Sequence, residues 1–265
     1  MGDYRPIALA NFQFKVITKI LADRLAPITM RIISIEQRGF IRDHNIHECV
    51  ILTSEVINLL EKRQYGGNVA LKVDIAKAFD TLDRNFLLDV LRGFSFAETF
   101  VNWILAILNS TRPFVLVNGK TVGFFSCSRG VRQRDPLSPL LFCLAEEVLS
   151  RSIFIAVTSG RLLPMTYCRG VYLPMHILYA DDVMIFCTGT KRNIRVLLNI
   201  FQRYSEVSEK IINNAKSRLY SGAMNSTQAQ MISDILGFTV GTVPFLYLGC
   251  PIFQGKPKVV HFQMI

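Results

Sequence analysis

The sequence has no C-x-x-C pair and no Cys/His cluster at zinc-ligand spacing, which excludes the common structural zinc modules. Its six cysteines, at 49, 127, 143, 168, 187 and 250, are scattered. Cys143 and Cys187 fall inside apolar runs, as buried thiols do, a pattern that suits a reducing, intracellular compartment. No uninterrupted apolar run reaches the roughly 18 residues that a membrane-spanning helix needs. The N-terminus lacks a signal-peptide pattern, because Asp3, Tyr4 and Arg5 come early and no apolar stretch follows. There is no internal repeat and no low-complexity linker. Negative charge is also scarce: 20 Asp and Glu stand against 30 Lys and Arg, a net charge of +10. That balance favours a polyanionic partner, although a merely solvated basic surface would have the same composition.

What is present is apolar. Half of the 265 residues are hydrophobic, enough for a substantial core in one large domain or two small ones, and too many for global disorder. Within that background His176-Ile177-Leu178-Tyr179-Ala180-Asp181-Asp182-Val183-Met184-Ile185-Phe186 places two adjacent carboxylates between two short runs rich in β-formers. The spacing predicts a β-hairpin with Asp181 and Asp182 at its turn. Taken alone, the pair reads as an ordinary turn, since Asp side chains bond nearby backbone amides. A third carboxylate changes the balance. Asn68 to Val73 reads as another strand, and Asp74 closes it. Acidic residues at two strand ends suit hard cations with oxygen ligands, and two such ions about 4 Å apart can serve nucleotidyl transfer.

Tyr179-Ala180-Asp181-Asp182 resembles the Tyr/Phe-x-Asp-Asp motif of reverse transcriptases, and its surroundings resemble the plant form of the non-LTR (LINE-like) retrotransposon branch. The resemblance runs as an ordered series over nearly the whole chain. Tyr4-Arg5-Pro6-Ile7-Ala8-Leu9 is similar to the opening block of the family's fingers. Asp74 to Asp80 resembles motif A of the polymerase palm, Ser128 to Pro139 motif B, Ser208 to Ser217 motif D, and Phe245 to Ile252 the primer-grip hairpin, motif E. A group II intron maturase shares the palm, but the wording of motifs B and E fits the LINE-like branch better.

The resemblance implies an α+β fold: a right-hand palm, an antiparallel sheet with helices on one face, joined to fingers. Residues 1–265 then form one reverse transcriptase domain, with fingers over about 1–67, palm over about 68–252, and the division within 97–127 left open. The resemblance stops after motif E, so a thumb is expected to be missing. The implied activity is RNA-directed DNA polymerisation from dNTPs on a DNA primer and RNA template, with two magnesium ions held by Asp74, Asp181 and Asp182. Lys216 is the implied proton donor to pyrophosphate, although a solvated surface lysine is the plainer reading of that residue. Phe79 is the implied aromatic gate beneath the sugar, and could equally be core. Gln133, Tyr179 and Ile75 are assigned to the nucleotide, and Tyr247, Leu248 and Gly249 to the primer. Membrane contact is not expected, and the oligomeric state is not legible.

Four residues depart from the family pattern. Asp43, Arg134 and Glu209 stand where the family has Gly, and His44 stands where it has an Arg that meets the triphosphate. Glycine permits close backbone approach, and Arg binds phosphate as a fixed bidentate cation whereas His is mostly neutral at pH 7. These departures support an alternative: a catalytically inactive, truncated remnant that at most binds nucleic acid.

Local signals predict the rest. Asn11 should cap a helix with an Ile17, Ile20, Leu21 and Leu25 stripe, ended or kinked at Pro27. Glu36 to Ile41 reads as a turn and short strand. Helices are expected over 47–63, 84–92, 97–110, 140–153 and 190–208, with Asp80 and Asp83 as helix-start residues. A hairpin turns at Asn118-Gly119.

Overall fold

The computed structural model describes residues 11–112, 114–123, 126–165, 173–256 and 258. The block resembling the start of the fingers, at 4–9, lies outside them, as do Pro113 and Cys168. In chain order the elements are α1 (Phe12–Ile32), α2 (Ile46–Leu59), β1 (Asn68–Ala76), α3 (Ala78–Thr81), α4 (Arg84–Gly93), α5 (Glu98–Asn109), β2 (Val115–Val117) and β3 (Lys120–Val122), then α6 (Ser138–Thr158), β4 (His176–Tyr179), β5 (Asp182–Thr188), α7 (Lys191–Ser208), β6 (Ile211–Ile212), β7 (Arg218–Gly222), α8 (Ser226–Leu236), β8 (Thr239–Val240), β9 (Phe245–Tyr247) and β10 (Cys250–Ile252). The α+β class follows from this mixture. The chain forms two compact units interleaved in sequence: Met1–Ile33, Ala76–Val148 and Tyr204–Ile211 make the first; Ser34–Ile75, Leu149–Arg203 and Ile212–Ile265 make the second.

The second unit is built on the sheet, ordered β4-β5-β1-β7-β8, with β6 also pairing β1. The expected antiparallel pattern holds for β4–β5, β5–β1 and β1–β7. At the edge β7 and β8 pair in parallel. On one face Ala70, Ile177, Met184, Phe186 and Tyr220 share a core with Val56, Ile57 and Leu60 of α2 and with Phe245, Tyr247 and Ile252 of the β9–β10 hairpin. Val69, Leu71, Val73 and Ile185, of opposite parity, are buried as well. Both parities of a central strand are therefore apolar, so the strand lacks the alternation of a half-exposed one.

In the first unit, α4 opens at Asp83, whose carboxylate accepts the Phe86 N–H at 2.7 Å. Leu87, Leu91, Val101, Ile104 and Leu108 of α4 and α5 are buried. The β2–β3 hairpin turns at Asn118 and Gly119, both with positive φ, as expected. Asn11 caps α1 by accepting the Gln13 N–H at 3.1 Å.

α1 does not end at Pro27 but continues to Ile32, and of its expected apolar stripe Leu25 is buried. Its buried positions are Thr18, Ala22, Leu25 and Thr29, while Ile17 and Ile20 are about half exposed. The threonines disguised the buried face: Thr18 and Thr29 donate their hydroxyls to the carbonyls of Lys15 and Ala26, one turn back, and so enter the interior satisfied. The strand expected over Glu36 to Ile41 is reduced to one bridge, Gln37 to Leu178.

Candidate active site

The sheet register brings the sequence-distant carboxylates together. Asp74 lies directly opposite Asp182 across the antiparallel β1–β5 pair, and Tyr179 lies opposite Asp182 on β4. Directly opposed residues hold their Cβ atoms about 4.5–5.5 Å apart on one face. Asp182 is thus the first residue of β5, and the tight turn itself is Ala180-Asp181. Ala180 takes φ +55°, an uncommon conformation for a residue with a Cβ.

The loop before α2 holds that turn in place. Arg38 N donates to Leu178 O at 2.7 Å and Leu178 N donates to Glu36 O at 2.9 Å, docking the loop on β4. Gly39 then meets the turn backbone so closely that a Cβ there would stand 2.6 Å from Ala180 N. Gln37 is buried, and its Oε1 accepts the Gly39 N–H at 3.0 Å. His44 Nδ1 lies 2.5 Å from the Gln37 carbonyl and donates to it, so this ring serves the loop backbone.

The other carboxylate strand is fastened from the motif D side. Asp74 N donates to Ser217 Oγ at 3.1 Å, and Asn213 N donates to Asp74 O at 2.8 Å. Lys216 lies between these two residues with an exposed side chain, while its backbone N–H donates to Asn213.

Electrostatics mark Asp182. Burial pushes its carboxyl above the usual aspartate range, the Lys72 ammonium pulls it back, and the Asp181 and Asp74 carboxylates push it up again. Lys72 was missed by sequence reasoning. It lies two residues before Asp74, on the same face of β1, and its Nζ donates to Leu246 O at 3.1 Å. The period of two from Asp74 is the signal that points to it. Among the described residues no group of three or more His, Cys, Asp or Glu side chains is closed into a ready-made metal cage. The three aspartates are instead backbone neighbours whose charges repel, a donor set of hard oxygens that fits a divalent cation.

Other sequence-assigned residues fall in different surroundings. Ile75 is buried, 3% exposed, so its side chain is core. Tyr247 is likewise fully buried, so of the three residues assigned to the primer only Leu248 and Gly249, in the turn with φ of +50° and +79°, are left for outside contact. In the first unit Phe79 stacks on Phe142, with centroids 4.3 Å apart and planes 9° from parallel. Gln133 Nε2 donates to both oxygens of Asp80, at 2.9 and 3.1 Å. The motif B loop is tied to this segment by Val131 N donating to Phe79 O at 2.9 Å, and a Cβ on Gly130 would come within 2.7 Å of Asp80 O.

Residues 1–252 match the family described as reverse transcriptase (RNA-dependent DNA polymerase). The chain belongs to this family. A relative is the retrovirus-related Pol polyprotein from type-1 retrotransposable element R2 of Nasonia vitripennis, 31% identical over 69% of this chain. The chain spans 17% of that polyprotein's length. An uncharacterized mitochondrial protein of Arabidopsis thaliana is 43% identical over 25% of this chain and 55% of its own length. Among solved structures, telomerase from Candida albicans in complex with a fragment of telomeric RNA superposes with a TM-score of 0.57 at 12% identity, over 91% of this chain and 36% of that one. At that identity the likeness concerns the fold, and it is the palm-type α+β fold of a reverse transcriptase.

The three residues that stand where the resemblance expects glycine share one backbone conformation. Asp43 at φ +66°, Arg134 at +65° and Glu209 at +57° all occupy the left-handed region. The backbone has the conformation that glycine adopts freely and that a residue with a Cβ adopts at a cost. Arg134 is solvent-exposed. Glu209 accepts from Arg129 Nε at 3.0 Å.

Proposed function

We propose that this chain is the RNA-directed DNA polymerase domain of a plant-type non-LTR retrotransposon, extending a DNA primer with deoxynucleotides on an RNA template. The observation that carries the reading is the pairing of Asp74 with Asp182 across two strands, with Asp181 in the adjoining turn. Two magnesium ions bound by such a set would lower the pKa of the primer 3′-hydroxyl and neutralise triphosphate charge. Asp74 and Asp181 are the ligands, and Asp182 supports them. Charge crowding at Asp182 is what a cation relieves. Phe79 gates the sugar, and its flat stack on Phe142 gives it a fixed backing. Gln133 and Tyr179 contact the nucleotide, and Ile75 does so through its backbone. Leu248 and Gly249 meet the primer, and Lys216 gives a proton to the leaving pyrophosphate. The work of the protein is positioning and charge stabilisation. In this reading residues of about 1–67 belong to the fingers and of about 68–252 to the palm, with the division within 97–127 left open.

Primer extension on poly(A) with dTTP and magnesium tests this, with Asp181→Ala and Arg134→Gly run beside the natural sequence. Extension that vanishes in Asp181→Ala is expected. Recovery of extension only in Arg134→Gly assigns the defect to that side chain. Silence from all three overturns the polymerase reading in favour of the inactive remnant, which His44, engaged by the loop backbone where the family has a phosphate-binding Arg, favours.

A further inference from the structure

The sheet unit carries a second charged feature that catalysis does not use. Three residues after β5 ends, α7 begins with Lys191, Arg192 and, one turn on, Arg195, and no acidic residue stands in its first turn. Cations at a helix N-terminus oppose the helix dipole, so the fold gains nothing from placing them there. Arg161 joins them around a hollow of about 440 Å³, completed by Val196, Asn199 and Ile200 with no carboxylate in its lining. Lys191 and Arg195 also line an adjoining hollow, with Ser226, Thr227 and Gln230 of α8. The one carboxylate there, Asp234, is already engaged by Gln230 Nε2 at 2.8 Å. Among the described residues none of Lys191, Arg192 and Arg195 forms an ion pair.

We propose that this face is a second nucleic-acid contact, gripping the phosphate backbone of a strand outside the catalytic cluster. Asp182 opens β5 and Thr188 closes it, so the face lies about 20 Å from the carboxylates at the strand rise of about 3.3 Å per residue. That separation is too great for the triphosphate of a nucleotide reacting at the aspartates. The chemistry favours nucleic acid over an anionic bilayer. Neither α8 nor α7 before Val207 exposes a large hydrophobic side chain, and the half-exposed Leu163, two residues past Arg161, is a single side chain rather than the apolar stripe that enters a membrane. Apart from the Asp234 carboxylate, the exposed polar groups are cations, hydroxyls and amides, which bind phosphate and sugar oxygens. With no aromatic platform, the contact reads backbone rather than base sequence.

The test is fluorescence anisotropy of the whole chain with labelled 20-nucleotide RNA and DNA strands of one sequence, across a salt series. Lys191→Ala/Arg192→Ala/Arg195→Ala is compared with Lys15→Ala/Arg24→Ala/Arg31→Ala, which removes the same charge from exposed positions of α1. Circular dichroism and melting temperature confirm that both remain folded. The α7 variant is expected to bind at least tenfold more weakly, and its log–log salt slope to shrink by about 2, the release expected for three single-strand phosphates. The α1 control should stay within about threefold of the natural sequence. Lys191→Arg/Arg192→Lys/Arg195→Lys, which keeps the charge, should bind like the natural sequence. Loss on RNA alone or on DNA alone identifies the strand, and either supports the face. Equal losses in both alanine variants, no loss in either, or binding to phosphatidylserine vesicles in place of nucleic acid overturns it. Binding is read without catalysis, so an inactive polymerase and an absent second site give different results.

Discussion

Lys210 and Glu146 form an ion pair with side chains only 1% and 0% exposed. The same Glu146 oxygen accepts the Tyr204 hydroxyl at 2.9 Å, and the Lys210 ammonium lies 4.2 Å from the centre of the Phe142 ring. The other carboxylate oxygen has no partner among the described residues. Replacing Lys210 with Met leaves a buried carboxylate with one neutral donor. Breaking a buried pair in this way costs about 3–5 kcal/mol. That is a large part of a folding stability of about 5–15 kcal/mol, and at about 2–4 °C per kcal/mol for a domain of this size it lowers the melting temperature by roughly 10 °C. The double variant Lys210→Met/Glu146→Gln removes the charge and keeps an acceptor for Tyr204, so most of the loss should return. Urea denaturation of the natural sequence, both single variants and the double variant closes the cycle, with an expected coupling of several kcal/mol. A Lys210→Met loss below about 1 kcal/mol would show that the carboxylate reaches water, and would refute the buried pair. Equal losses in Lys210→Met and the double variant would show that packing, not charge, sets the cost.

Three further outcomes are expected. Arg134→Gly relieves a left-handed residue at a cost of about 1–2 kcal/mol, offset by about 0.5–1 kcal/mol of added chain entropy, so the melting temperature should rise by about 1–4 °C; a fall contradicts the φ +65° geometry. Gly39→Ala drives a Cβ toward Ala180 N and should cost about 1–3 kcal/mol, with a more than proportionate loss of primer extension, because the displaced turn carries Asp181; full activity would detach the loop from the site. Asp182 keeps its proton in the folded chain at pH values where the unfolded chain has lost it, so the folded state binds more protons. Without magnesium, stability should then fall as pH rises from the ordinary aspartate range through the raised folded value. Asp182→Asn should flatten that slope in a melting series against pH, and a slope equal to that of the natural sequence refutes the assignment.

The sequence by itself determined what depends on neighbours along the chain. Turn chemistry placed the Asn118-Gly119 hairpin and the break beside Asp181. Caps placed the starts of α1 at Asn11 and α4 at Asp83, and apolar spacing placed α7, whose Ile194, Leu197, Phe201 and Tyr204 are buried. The ordered motifs pointed to the family, because each is a local pattern. Tertiary structure decided what depends on pairing at a distance. Asp74 meets Asp182 only through strand register, and no local signal fixes which residues of two remote strands stand opposite. The buried face of α1 went to threonines because their hydroxyls found carbonyls one turn back. Lys210 is buried because Glu146, 64 residues away, meets it inside the first unit. At Asp43, Arg134 and Glu209 the sequence shows only a lost glycine. The left-handed backbone at these positions carries a local cost for any residue with a Cβ, and the contacts that hold the backbone there against that cost come from the rest of the chain.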